Sequence, residues 1–165
     1  PATPQRRLGI YGGVALRYAR LDDRNGMFWG GEAGLLLWRR FVVGLSTTRA
    51  SVGEAQDFRG IVNMRFDALA LRYRFLFEGS RFDLTAGVLV GMGHLSRPPA
   101  GIDPGLTTGT TTVVLEQQVE AHVAPTRWLR LGVDLGFRIA PGADSGVAGD
   151  IQSITTGLHA QLSWF

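Results

Sequence analysis

The chain of 165 residues fits a single domain; 45% of its residues are hydrophobic, only 19% are charged, and 23 are glycine. An ordinary soluble domain carries about 25% charged residues, yet no apolar run here reaches the roughly 18 residues of a membrane-spanning helix, which excludes a helical membrane protein. With no cysteine there is no disulfide framework or thiolate metal site, and the 17 basic residues, all arginine with a net charge of +3, are spread as singles apart from Arg6-Arg7 and Arg39-Arg40, which argues against nucleic acid as a partner.

The opening PATPQRRLG has no apolar core of the kind a secretion signal carries, so residues 1–7 are expected as a tail and 8–165 as one domain. From there alternation of period two predicts eight strands: Leu8 to Arg20, Met27 to Trp38, Phe41 to Ala50, Gly60 to Phe77, Phe82 to His94, Thr110 to Ala124, Trp128 to Ala140 and Ile151 to Phe165. Helical spacing is nowhere sustained. Most of these segments exceed the about 9 to 11 tilted residues that cross a hydrocarbon layer. The links alternate in kind. Arg39-Arg40, EGSR and Pro125-Thr126-Arg127 are short, whereas LDDRNG, SVGEAQDFR, LSRPPAGIDPGLTTG and PGADSGVAGD are longer and rich in turn formers. Short turns at one end and longer loops at the other describe an up-and-down meander.

The stretch RWLRLGVDLGFRIA, Arg127 to Ala140, states the main question. Leu129, Leu131, Val133, Leu135, Phe137 and Ile139 share one face of a strand, and Arg130, Gly132, Asp134, Gly136 and Arg138 the other. Other strands repeat the division. Leu8, Ile10, Val14, Leu16, Tyr18, Trp29, Ala33, Leu35, Leu37, Leu84, Val88, Val90, Val113, Leu115, Val119, Ile154, Leu158 and Leu162 line the apolar face. Arg17, Glu32, Gly34, Arg72, Arg74, Gly87, Gly91, Glu116, Gln118, Glu120, His122, His159 and Gln161 line the polar one. Glycine in mid-strand on a soluble exterior would weaken the sheet without a packing return. In the narrow interior of an eight-stranded barrel it makes room for large side chains. The polar parity is therefore expected inside and the apolar parity in lipid.

Aromatics support this placement. Trp38 and Phe41 flank the first short turn, Phe77 and Phe82 the second, Trp128 follows the third, and Trp164 lies beside the end of the last strand. A band of rings at one height is what the interface between water and lipid selects. Trp29 and Tyr18 suggest a thinner girdle opposite. In architecture, alternation and girdles, though not in a diagnostic motif, the chain after Arg7 resembles the small eight-stranded outer-membrane β-barrels of the OmpA and OmpX type. The resemblance implies an all-β, antiparallel transmembrane barrel in the bacterial outer membrane, with a structural or interaction role and no wide pore. Its implied partners are membrane lipid and lipopolysaccharide, with other envelope proteins as further candidates. Members tend to end in an aromatic residue preceded by apolar residues at alternate positions. Here Phe165 shares parity with Ser163, Gln161 and His159 while the apolar series runs through Trp164, which predicts a register shift at the end or a native chain that continues. Asn63, Arg65 and Asp67 also lie in line with Leu69, Leu71 and Tyr73, which predicts a bulge near Asp67 or a strand top standing above the membrane.

The candidate functional residues are an interior polar network of Arg17, Glu32, Arg72, Glu116, Glu120, Arg130, Asp134 and Arg138. Glu120 with Arg130, and Glu32 with Arg72, are expected to pair, because an unpaired buried charge is costly. A hydrolase alternative rests on His94 and Ser96 of GHLS, similar to the His-x-Ser pair of outer-membrane lipid A deacylases, but the following acid, Glu116, falls on the opposite face from His94. The other alternative, a soluble ligand-binding barrel, requires the apolar face inside. His94, His122 and His159 sit on separate strands with no metal-binding spacing, and no phosphate loop or dinucleotide fingerprint occurs. Neither a catalytic residue nor a cofactor nor a metal is expected.

Overall fold

The computed structural model describes residues 8–21, 24–52, 62–97, 108–141 and 152–164. Eight antiparallel strands follow one another in chain order: β1 (Leu8–Leu21), β2 (Arg24–Leu37), β3 (Phe41–Val52), β4 (Val62–Leu76), β5 (Phe82–Arg97), β6 (Thr108–Val123), β7 (Leu129–Ile139) and β8 (Ser153–Trp164). Each pairs with its sequence neighbours, and β1 closes the sheet onto β8, from Ile10 opposite Trp164 to Leu21 opposite Ser153. The strands take over most of the LDDRNG link, since Leu21 already pairs with Arg24. The β2–β3 turn is tight, with Trp38 and Arg39 both at positive φ (48° and 63°) and the Arg40 amide donating to Leu37 O at 3.0 Å.

Parity sorts the side chains as the alternation requires. Val14 is 65% exposed and Leu45 71%, whereas Arg74 and Arg138 are each 1% exposed. The outer wall is apolar and the buried interior is charged, which overturns the soluble barrel with an apolar lumen. Long interior side chains lie over glycines of neighbouring strands. A Cβ on Gly87 would stand 2.6 Å from Arg72 Cγ, one on Gly157 2.5 Å from Arg17 Cγ, and one on Gly34 2.9 Å from Tyr11 Cε1.

Two either-or expectations each lose their first branch. The register of β4 is unbroken from Val62 to Leu76 against β3 and β5, so no bulge lies at Asp67. Asn63, Arg65 and Asp67 simply continue the outward face upward, beside Thr47 and Arg49 of β3 and His94 of β5. Behind them Met64, Phe66, Leu95 and Val114 are buried together with Phe28, Ala19 and Ala50, so the long-loop end of the lumen is apolar. Tyr11, Leu36 and Val42 form a smaller apolar layer toward the short turns. The charges fill the middle and, with Asp83, Arg74 and Arg130, reach the short-turn end beside that layer. At the end of β8 the register holds through Trp164, which is 51% exposed while Ser163 is buried, so no shift occurs among the described residues; Phe165 lies outside them.

The glycine packing makes a sharp prediction. Gly157→Leu should lower stability by about 1 to 3 kcal/mol or more through overpacking against Arg17. The neighbouring Leu158→Val, on the lipid side, should change it little. Urea unfolding of the barrel in detergent micelles, followed by tryptophan fluorescence, measures both; equal effects at the two sites would contradict the assigned faces.

Candidate functional site

The chemistry-bearing residues converge in the middle of the lumen because strand parity turns them inward and closure brings distant strands face to face. Arg17 of β1 reaches Glu116 of β6, with Nη1 donating to Oε1 at 3.2 Å, and places Nε 3.1 Å from Asp134 Oδ1 of β7. Glu116, fully buried, also accepts from Arg138 Nε at 2.7 Å, with Arg138 Nη2 2.6 Å away. The Arg138 guanidinium lies over the rings of Phe28 and Phe66, 5.0 and 4.9 Å from their centroids, within reach of a cation–π contact with each.

A second cluster lies across the lumen. Arg72 of β4 grips Glu32 of β2 with two hydrogen bonds, at 3.0 and 2.7 Å, donates to Gln118 Oε1 at 3.1 Å, and holds Nε 3.4 Å from Glu120 Oε1. Lower down, Asp83 of β5 accepts from Arg130 Nε at 3.1 Å and stands 3.6 Å from Arg74 Nε. Arg130 Nη1 donates to Ser163 Oγ at 2.6 Å, and Arg74 Nη2 to Gln161 Oε1 at 3.2 Å. The expected pairing of Glu32 with Arg72 is present in this geometry. Glu120 and Arg130, by contrast, are apart: Glu120 sits opposite Asp134 in the β6–β7 register, four residues along the strand from Arg130. Arg130 binds Asp83 instead, while Glu120 faces Arg72 and His122. Five arginines (Arg17, Arg72, Arg74, Arg130, Arg138) thus meet five carboxylates (Glu32, Asp83, Glu116, Glu120, Asp134) among the described interior residues.

Asp83 escaped the sequence reading as a network member. Its signal was its parity, shared with Gly87 and Gly91 on the polar face of β5. The histidine placement also differs from expectation, for His122 and His159 touch edge to face with ring centroids 4.4 Å apart. His94 is elsewhere, exposed on the outer wall with Nδ1 2.9 Å from Thr111 Oγ1. Glu116 is inside, so His94 and this acid lie on opposite sides of the wall and do not form a hydrolase arrangement with Ser96.

The six girdle residues Trp38, Phe41, Phe77, Phe82, Trp128 and Trp164 are all exposed at or beside the short-turn end. Trp38 packs on Phe41 (6.1 Å), Phe41 on Tyr73 (5.1 Å) and Tyr73 on Phe75 (4.9 Å), which extends the band along β3 and β4; Phe77 stacks on Phe82 at 5.7 Å. At the other end Tyr18 donates to Asn25 Oδ1, near exposed Trp29.

Glu116 tests the network. Glu116→Gln leaves Arg17 and Arg138 short of a buried counter-charge and should cost about 3 to 5 kcal/mol, whereas the paired change Glu116→Leu with Arg138→Met should recover a substantial part. Unfolding free energies of the parent and the two variants in micelles decide it; a nearly neutral Glu116→Gln would show that the pairs contribute little.

No family model matches the sequence, and no curated protein matches it. Solved structures do. Neisserial surface protein A is similar over 94% of this chain and 96% of its own, with a TM-score of 0.73 at 13% identity. The N-terminal β-barrel domain of Pseudomonas aeruginosa OprF is similar over 93% and 97%, with a TM-score of 0.62 at 13% identity. Ail, the attachment invasion locus protein of Yersinia pestis, is similar over 95% and 97%, with a TM-score of 0.58 at 12% identity, and a second Ail structure is a complex with the heparin analogue sucrose octasulfate. The chain therefore carries the fold of the small eight-stranded outer-membrane β-barrels, with its charged parity inside and its apolar parity outside.

Proposed function

We propose that this chain is an integral protein of the bacterial outer membrane that acts through its outer surface, in a structural or interaction role, rather than through a pore or through catalysis. The observation that carries the reading is the filled lumen. Five arginines and five carboxylates bond across it, and apolar side chains close it on the long-loop side. Eight strands enclose a narrow space, and its filling by side chains among the described residues supports a barrel without a wide aqueous path. Planar-bilayer recording should therefore give no stable, porin-sized conductance. A sustained large open state would overturn the reading.

The partner chemistry we propose is anionic glycolipid, lipopolysaccharide above all. Arg49 of β3 sits directly opposite Arg65 of β4 on the outer wall, and both are exposed. Like charges facing across a strand pair repel. Asp67 holds Arg65 Nε at 2.7 Å and Arg49 lies 6.0 Å over the Trp29 ring, and the two exposed guanidinium groups stand side by side where we place a headgroup phosphate. Ail bound to a polysulfated sugar makes the same kind of ligand reasonable on this fold. A basic residue near an anionic surface contributes about 1 kcal/mol. The double charge reversal Arg49→Glu with Arg65→Glu should thus weaken lipopolysaccharide binding by about tenfold or more in a titration of the detergent-solubilised barrel followed by tryptophan fluorescence. Unchanged affinity would remove these arginines from the proposal.

A further inference from the structure

Glu120, His122 and His159 meet in the lumen at a point that the arginine pairs do not account for. Glu120 and His122 are two residues apart on β6, so both point inward from one strand. His159 of β8 arrives beside them through register: His122 sits opposite Gly132 of β7, and Gly132 opposite His159. Gly132 has no side chain to separate the rings, and a Cβ there would lie 2.5 Å from His159 Nε2. One donor atom from each of the three residues lies within 4.8 Å of the other two. His122 Nε2 is 3.5 Å from Glu120 Oε2, near the about 3.3 Å that separates two ligands of one tetrahedral zinc ion.

Three further features favour a ligand at this point. The Nδ1 atoms face carboxylates: His159 Nδ1 bonds Asp134 at 3.4 Å, and His122 Nδ1 stands 3.2 Å from Asp83 without hydrogen-bonding geometry. That is the carboxylate–histidine arrangement which orients a ring and leaves Nε2 for a metal. His159 Nε2 is buried without a hydrogen-bond partner, on a side chain only 10% exposed, and such an atom is costly unless something binds it. Glu120 is also the carboxylate least committed elsewhere, because Arg72, its nearest cation, is already gripped twice by Glu32.

We propose that Glu120, His122 and His159 form a binding site for one divalent transition-metal ion of the zinc class, which ties β6 to β8 across β7. Two imidazoles and a carboxylate suit Zn2+, Cu2+, Ni2+ or Co2+, whereas Mg2+ and Ca2+ take oxygen donors. Sequence spacing gave no sign of this site, since its ligands lie on two strands that are not adjacent and only the register over Gly132 joins them.

The test uses tag-free barrel refolded in detergent, stripped with chelator and checked for native structure by circular dichroism. Calorimetric titration with Zn2+ should give one ion per chain. His159→Gln should weaken that binding by about a hundredfold or more, and Gly132→Ala, which removes no ligand but displaces the ring, by about tenfold or more. His94→Ala, on the outer wall, should bind as the parent does. Cu2+ loaded into the unsubstituted protein should show coupling to two imidazoles in pulsed electron paramagnetic resonance, a measurement that needs no variant to fold. No stoichiometric Zn2+ binding by the folded parent, coupling to fewer than two imidazoles, or retention in His159→Gln with loss in His94→Ala would each overturn the proposal.

Discussion

Every feature of this molecule depends on one constraint: backbone N–H and C=O groups inside hydrocarbon have no water to bond to, so each must find a partner in the protein. A sheet meets that demand only if it has no edge. Here β1 and β8 supply each other's missing partners over twelve opposed residue pairs, Ile10 with Trp164 through Leu21 with Ser153. Closure with eight strands then fixes a narrow lumen, and a narrow lumen has to be filled without collision. The glycines under Arg17, Arg72 and Tyr11 are consequences of that geometry rather than of any local turn.

Filling the lumen with charge brings its own requirement. Desolvated arginines and carboxylates are tolerable only in close pairs, and while Arg138–Glu116 and Arg74–Asp83 join neighbouring strands, other pairs run between strands that the backbone does not connect. Arg17 and Glu116 join β1 to β6, Arg72 and Glu32 join β4 to β2, and Arg130 and Asp83 join β7 to β5. Backbone hydrogen bonds hold each strand to its two neighbours. The side-chain pairs brace the cross-section, which resists flattening of the barrel.

How far this was legible in the sequence follows from which relation each feature depends on. Parity is a property of one strand, so RWLRLGVDLGFRIA already separates Leu131 and Val133 from Arg130 and Asp134, and the short turns order the strands. Partner choice depends on register and stagger between strands. Charge and parity alone therefore pair Arg130 with Glu120, which the β6–β7 register sets four residues apart. The meeting of His122 with His159 needs two registers in succession, β6 on β7 and β7 on β8, and was invisible for the same reason. Asp83 lay in plain sight on the polar parity, but nothing local distinguished it as the carboxylate that serves Arg74, Arg130 and His122 at once.

Strand β4 teaches the most, because its seeming breach of pattern is where the solvent changes. From Leu69 to Phe75 its outward side chains are apolar or aromatic and its inward ones include Arg72 and Arg74, the rule for a wall in lipid. From Asn63 to Asp67 the rule inverts: Arg65 and Asp67 point out while Met64 and Phe66 are buried, as in a sheet that meets water. Its neighbours invert at the same level, with Thr47 and Arg49 outside on β3 and His94 outside over buried Leu95 on β5. Three strands here, β4, β5 and β6, are also long, with 15, 16 and 16 residues against 12 in β3, 11 in β7 and 12 in β8. Opposite them, Phe137 and Ile154 are still exposed apolar residues near the tops of the shorter strands. One side of the barrel thus rises beyond the apolar belt as a polar-faced sheet with its own apolar backing. On the proposed outer-membrane reading, the inversion of polarity along a single strand marks the membrane boundary, with the facing arginines Arg49 and Arg65 at headgroup height.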